Sequence, residues 1–297
     1  MLKKEYMGRA IVTICGLSIV ILTIAIGAFL IFKGSTTFTE HGGSIIKFLF
    51  STDWAPSDSL TKSTGRVGAG IYIVGSLLVC GLALLIATPF SLAGAIFISE
   101  ISPSVGKKIL QPAIEIFVGI PSVVYGWVGL TVLVPFINDK LNAPMGGYSV
   151  LAAGIVLAVM IFPTITTVSA DALRAVPDGY RQAAYGLGST RWQVIHKVCV
   201  PAARTGIMSG IILGLARAFG EALAVAMVIG KTRVLPKGLL YPTNNLTAAI
   251  AADMGNTADG GEHNAALWSM ALLLLIISML CILAIHVMAN ASKRKEK

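Results

Sequence analysis

Six apolar runs, each long enough to cross a bilayer, constrain this chain more than any motif in it. They are Ile11–Phe32, Gly70–Ile98, Ile109–Ile137, Val150–Ala170, Thr205–Gly230 and Ala265–Ala289. At about 1.5 Å per residue the first reaches roughly 33 Å as a helix, enough for a hydrocarbon core of about 30 Å. Hydrocarbon offers no partner to a backbone N–H or C=O, so runs of this kind must close their hydrogen bonds internally as helices. The expected fold is therefore an all-α polytopic membrane protein with six transmembrane helices. Pro89, Pro121 and Pro163 fall inside three of the runs and limit their regularity. A basic start before an apolar run also fits a secretory leader, but the run is long and lacks a clear Ala-x-Ala site, which favours an uncleaved span.

Composition agrees with this reading. The chain is 55% hydrophobic and 12% charged, whereas a soluble domain carries about a quarter charged residues. The net charge of +9 would suit nucleic acid if it were gathered on one surface. The basic residues lie instead in interspan segments and tails, so no nucleic-acid partner is expected. Cys15, Cys80, Cys199 and Cys281 are scattered, as are His41, His196, His263 and His286. Neither set has metal-ligand spacing, so no metal site and no disulfide is expected. The span interiors offer no nucleophile or acid–base set beyond one Arg and one Glu, so the chain does not read as an enzyme.

Charge asymmetry orients the spans. Residues 1–10, 99–108, 171–204 and the carboxyl tail hold most of the interspan Lys and Arg, against fewer in the longer segments 33–69, 138–149 and 231–264. The positive-inside rule then places both termini in the cytoplasm. The sequence divides into an amino-terminal helix and external segment (1–69), a membrane core (70–289) and a basic tail (290–297). Trp54 in the external segment is either an interfacial anchor or a packed loop aromatic, and Asn244–Met254 reads as a short surface or re-entrant helix.

Two features carry chemistry. Arg217 and Glu221 stand four residues apart in ARAFGEALAV, where mutual pairing or exposure to a polar route is expected. A guanidinium there would attract an oxyanion, and a carboxylate could restrain it or accept a hydrogen bond from a protonated anion. Gly206, Gly210, Gly214 and Ala218 recur every four residues on the same run and make a small face for close helix packing. The second feature is the polar interruption Val176–Pro201, whose centre, Arg181–Val194, reads as a short helix bent at Gly186 and Gly188.

The central segment resembles the cytoplasmic EAA signature of the ABC importer permeases, with Gln182-Ala183-Ala184 in place of Glu-Ala-Ala, Gly188 at the family spacing, and Pro201 beyond it. GIPSVVYGWVGLTVLVP, MIFPTITTVSADALRAVP and LGLARAFGEALAV further resemble the phosphate-specific permeases, and the first is more like their C-type than their A-type subunit. The resemblance implies a type I ABC importer permease with a cytoplasmic coupling helix, in a bacterial or archaeal cytoplasmic membrane. It implies Arg217 and Glu221 in a phosphate pathway, and Arg181, Gln182, Ala183, Ala184 and Gly188 in docking to the ATPase. Implied partners are an A-type second permease, two ATP-binding subunits, an extracytoplasmic phosphate-binding protein and a phosphate-signalling regulator. No GxxxxGK[ST] occurs, so this chain has no cofactor of its own, and ATP and Mg belong to the partner ATPases. Import of another oxyanion such as sulfate or molybdate, or a scaffold role in signalling, are the competing readings.

Overall fold

The computed structural model describes residues 2–57 and 64–294, with side chains described over 8–57 and 64–287. Lys295 and Lys297 of the expected basic tail lie outside the described residues. Among the described residues there is no strand, only two isolated bridges, Trp54 with Val67 and Gly230 with Thr243. Among the described residues six helices are long and apolar enough to cross a membrane: Gly8–Thr39, Gly70–Ile101, Ser122–Leu141, Met145–Arg174, Arg191–Gly220 and Glu262–Val287.

The chain groups into two compact units. The first comprises Met1–Ala69 with Asp253–Leu275. Within it the first span meets the start of the sixth. Gly34 admits Leu272, Phe29 packs edge-on to Trp268 at 5.3 Å, and the Ser269 hydroxyl donates to the Gly34 carbonyl at 2.6 Å. The segment after the first span is tied down by one carboxylate. Glu262, 1% exposed, accepts from the backbone N–H groups of Ser57, Thr64 and Gly65 and from the Thr64 hydroxyl. A buried carboxylate is tolerated only when its lone pairs are filled, and here four donors fill them. Trp54 is a packed loop aromatic, 5% exposed and against the His263 ring.

The second unit, Gly70–Ala252 with Ile276–Lys297, is built on the second, fourth and fifth spans. Close approach explains the small residues. Ala172 and Ile165 of the fourth span fill the space where side chains at Gly206 and Gly214 would stand, and a Cβ added at Gly210 would lie 3.3 Å from the Ile165 carbonyl oxygen. Ala218 continues this face and is buried. Gly75 of the second span lies directly under the Asn244 carbonyl, a contact any Cβ would block. The Asn244–Met254 stretch forms the helix Leu246–Asp253, whose first turn is buried and anchored by the Ser76 hydroxyl accepting from the Leu246 N–H at 3.0 Å.

Candidate anion site and partner surface

Two of the expected spans are broken, and the breaks come together. The run Ile109–Ile137 is not one helix. Gln111–Gly119 ends at Ile120, which is extended because the following Pro121 excludes the helical conformation there, and the span restarts at Ser122. Glu115 lies on the separate helix, exposed and bonded to Gln111 at 3.1 Å. Pro121 has no N–H, which strips the Phe117 carbonyl of its helical donor. The Tyr125 hydroxyl replaces that donor at 2.7 Å.

The run Thr205–Gly230 differs in the same way. Its helix begins earlier, at Arg191, and stops at Gly220; Glu221 is extended, with φ −81° and ψ 119°, and a short helix, Leu223–Val228, follows. Gly220 weakens the helix, and the Glu221 carboxylate captures the Ala224 N–H at 3.0 Å, capping the restart. The restarted pieces pack against each other through Gly126, which lies 2.8 Å from Ala224 Cα at the position its Cβ would take.

Of the two arrangements expected for Arg217 and Glu221, mutual pairing or exposure to a polar route, this break removes the first. The carboxylate leaves the helix before it can face the guanidinium, and no ion pair joins the two among the described residues. Arg217 instead donates to the Thr164 hydroxyl of the fourth span at 3.1 Å and lies within electrostatic range of Tyr125. Glu221 uses Oε1 as a helix cap, while its backbone carbonyl accepts from the Thr247 hydroxyl at 2.9 Å. Both side chains are half-buried. The neighbouring cavity of about 470 Å³, lined by Phe117, Val124, Tyr125 and Val128 among others, has Tyr125 as its one hydroxyl. Such a lining suits hydrocarbon and not an oxyanion.

At the Arg-rich end of this unit the expected Arg181–Val194 helix is two helices, Asp178–Gly186 and Arg191–Val194. Gly188 adopts φ +80° at the bend, a conformation glycine takes without strain, and Thr190 starts the second helix with a full capping box to Gln193. Gln182, Ala183 and Gly188 are exposed, and Ala184 packs on a core that includes Ile98, Leu173 and Val194. Leu187, 88% exposed, and Trp192 stand beside them. Arg181 turns the other way. Its guanidinium meets the Glu100 carboxylate at 2.7 and 3.4 Å and donates to the carbonyls of Leu173 and Val176. The Glu100 hydrogen bonds hold Arg181 protonated above its usual range.

The model for "Binding-protein-dependent transport system inner membrane component" matches residues 87–297. The chain belongs to that family. It is 51% identical over 289 residues to the "Probable ABC transporter permease protein YqgH" of Bacillus subtilis, covering 97% of this chain and 92% of that protein. It is 34% identical to the "Phosphate transport system permease protein PstC" of Haemophilus influenzae, covering 92% and 89%. The fold is that of solved ABC importers: the MetNI methionine transporter matches with a TM-score of 0.57 at 19% identity, over 74% of this chain and 95% of that one. A bacterial importer of the polysaccharide alginate matches with a TM-score of 0.51 at 19% identity, over 94% and 95%.

For this binding-protein-dependent transport component, sequence reasoning missed Tyr125, Thr164, Thr247 and Glu100. Tyr125 had a local signal, since a hydroxyl four residues after a proline can reach the carbonyl that proline orphans. Thr164, Thr247 and Glu100 act across 53, 26 and 81 residues of chain, and no local pattern marks such partners.

Proposed function

We propose that this chain is the membrane-spanning permease subunit of an ATP-driven phosphate importer. The carrying observation is that Arg217 is held by a neutral hydroxyl, so its positive charge is oriented and not neutralised by a carboxylate. An intramembrane cation in that state is a site for an anion. The relatives whose printed names include phosphate transport supply the choice among oxyanions. Glu221 Oε2 accepts no hydrogen bond among the described residues and serves as acceptor for a phosphate that still carries a proton. Fully ionised sulfate has no such proton, and selection follows from that difference.

In this reading both termini and the Arg174–Arg204 segment are cytoplasmic. Gln182, Ala183, Gly188, Leu187 and Trp192 form the surface that docks an ATP-binding subunit, while Arg181 braces it from behind. The working complex contains an A-type second permease, two ATP-binding subunits that hold ATP and Mg, and an external phosphate-binding protein, with a signalling regulator as a further partner. Closure of the ATPases shifts the docking surface, and the spans alternate which side reaches Arg217. Release inside requires the two states to differ in affinity.

The test is uptake by the reconstituted complex with phosphate, arsenate, sulfate and molybdate in competition. ATP-dependent phosphate uptake, lost in Arg217→Ala, is the expected result. Preference for sulfate or molybdate moves the assignment to another oxyanion, and assembly without any uptake moves it to a scaffold. Glu221→Gln should narrow the discrimination between phosphate and sulfate; unchanged discrimination rejects the protonated-anion route.

A further inference from the structure

Glu100 lies in the last turn of the second span, and nothing in its local sequence marks it out. Its surroundings do. Its side chain is 10% exposed and meets Arg181, 17% exposed, through two hydrogen bonds. The same guanidinium donates to the carbonyl of Leu173, in the last turn of the fourth span, and to that of Val176, two residues past its end. Arg191, from the second helix of the docking segment, donates to the Glu100 carbonyl and to the Ile101 carbonyl at 2.6 Å. Two arginines of one segment thus grip the ends of two different spans. Beneath them Ile98, Leu173, Val194 and Cys199 share one buried apolar core.

We infer that Glu100 and Arg191 are positioning residues for energy coupling: with Arg181 they clamp the docking segment to the ends of the second and fourth spans, so that all three move as one body. This rests on the reading of the segment as the ATPase dock. The physical ground is the number of bonds that must break together for the segment to move alone. A buried ion pair that is also bonded to two carbonyls resists sliding, because each partial separation leaves a charge or a carbonyl unpaired in a low-dielectric site. The fourth span carries Thr164, the hydroxyl that holds Arg217. A displacement imposed on the dock therefore reaches the candidate anion site along a continuous helix, Val150–Arg174.

The experiment measures anion uptake per ATP hydrolysed in proteoliposomes containing the whole complex, at equal amounts of assembled complex. Phosphate, sulfate and molybdate are run in parallel, so a wrong cargo is recognised separately from a failed clamp. Glu100→Gln keeps the shape and removes the charge; uptake per ATP should fall about tenfold, within the range by which coupling networks respond to single changes. Glu100→Asp, which keeps the charge, should recover more than half of the wild-type ratio. Arg191→Ala, at an exposed position, strands no buried carboxylate and should lower the ratio by about threefold. A merely structural role would lower the yield of complex and leave the ratio unchanged. A wild-type ratio in both Glu100→Gln and Arg191→Ala overturns the clamp, as does a wild-type ratio in Arg191→Ala should Glu100→Gln fail to assemble. A wild-type complex that imports none of the three anions overturns the transport reading and the clamp with it.

Discussion

Two arginines in this chain have been given opposite surroundings. Arg181 is saturated, with a carboxylate, two backbone carbonyls and a second carboxylate, Asp178, at 3.1 Å. Arg217, farther into the bundle, has one neutral hydroxyl at 3.1 Å. Burial makes the first arrangement rigid, because moving any member strands another. It makes the second receptive, since a guanidinium with open donors in a half-buried site gains most from a ligand that brings negative charge. Sequence alone does not separate them: the arginine in a polar loop reads as one available to a partner, and the one with an acid four residues on reads as either paired or open to a polar route. The lesson concerns geometry between spans, where the chain separation of partners exceeds anything a motif records.

The contrast can be broken at several points. Glu100→Ala should have the largest effect on stability, destabilising the chain by up to about 3 kcal/mol, because two guanidinium donors in a nearly buried site lose their acceptor while Asp178 and two carbonyls hold the rest. A lowered melting temperature in detergent would report it, and a wild-type value would mean that Asp178 and the carbonyls suffice for Arg181. Arg217→Ala should leave the melting temperature nearly unchanged while uptake falls by about 100-fold, since it removes a directed charge from the route and only one hydroxyl contact from the fold. If uptake survives, the two arginines differ less than their surroundings imply. Gly214→Val puts two methyl groups into the space held by Ile165, 2.6 Å from the position of the added Cβ. Overpacking of about 1–3 kcal/mol is expected, together with displacement of Arg217 from Thr164 and a weaker apparent affinity for phosphate in uptake assays.

A third arginine supplies the mild end of the scale. Arg66 makes a two-pronged pair with Asp53 at 2.7 and 2.9 Å, but on an exposed surface. The hydrogen bond from Arg66 pulls the Asp53 carboxyl below its ordinary value of 3.8. A lowered carboxyl pKa contributes stability that is fully present above the unfolded value and is lost as pH falls through the folded one. Asp53→Asn should therefore have the smallest effect near neutrality, within error of wild type because water screens the pair. Any difference between the two proteins should shrink below about pH 3.8. A large effect at pH 7 would show that exposure is a poor guide to what these pairs do.

The number and order of spans were legible because hydropathy over a bilayer's width is a strong local signal. The ends were not. Hydropathy reads straight through Gly119-Ile120-Pro121 and Gly220-Glu221-Ala222, since both breaks sit in apolar surroundings. Pro121 was visible as an irregularity, but not that it would release Gln111–Gly119 as a separate helix carrying Glu115. Glu221 was visible as a charge, yet its use as a cap for Ala224 depends on the chain turning there. The small face from Gly206 to Ala218 was legible as spacing; that the fourth span fills it required the structure. The exposed surface around Gln182 and Ala183 follows from polarity, whereas the inward turn of Arg181 depends on Glu100, which belongs to a different span.

The hydroxyl of Tyr125 lies past the bend at Pro121, while the oxygen it serves lies before it. Pulling the helix Gln111–Gly119 away from the start of the third span would take that donor from the Phe117 carbonyl and leave its dipole unmatched. The corner at Pro121 is therefore braced by its own strut, which resists opening at that point.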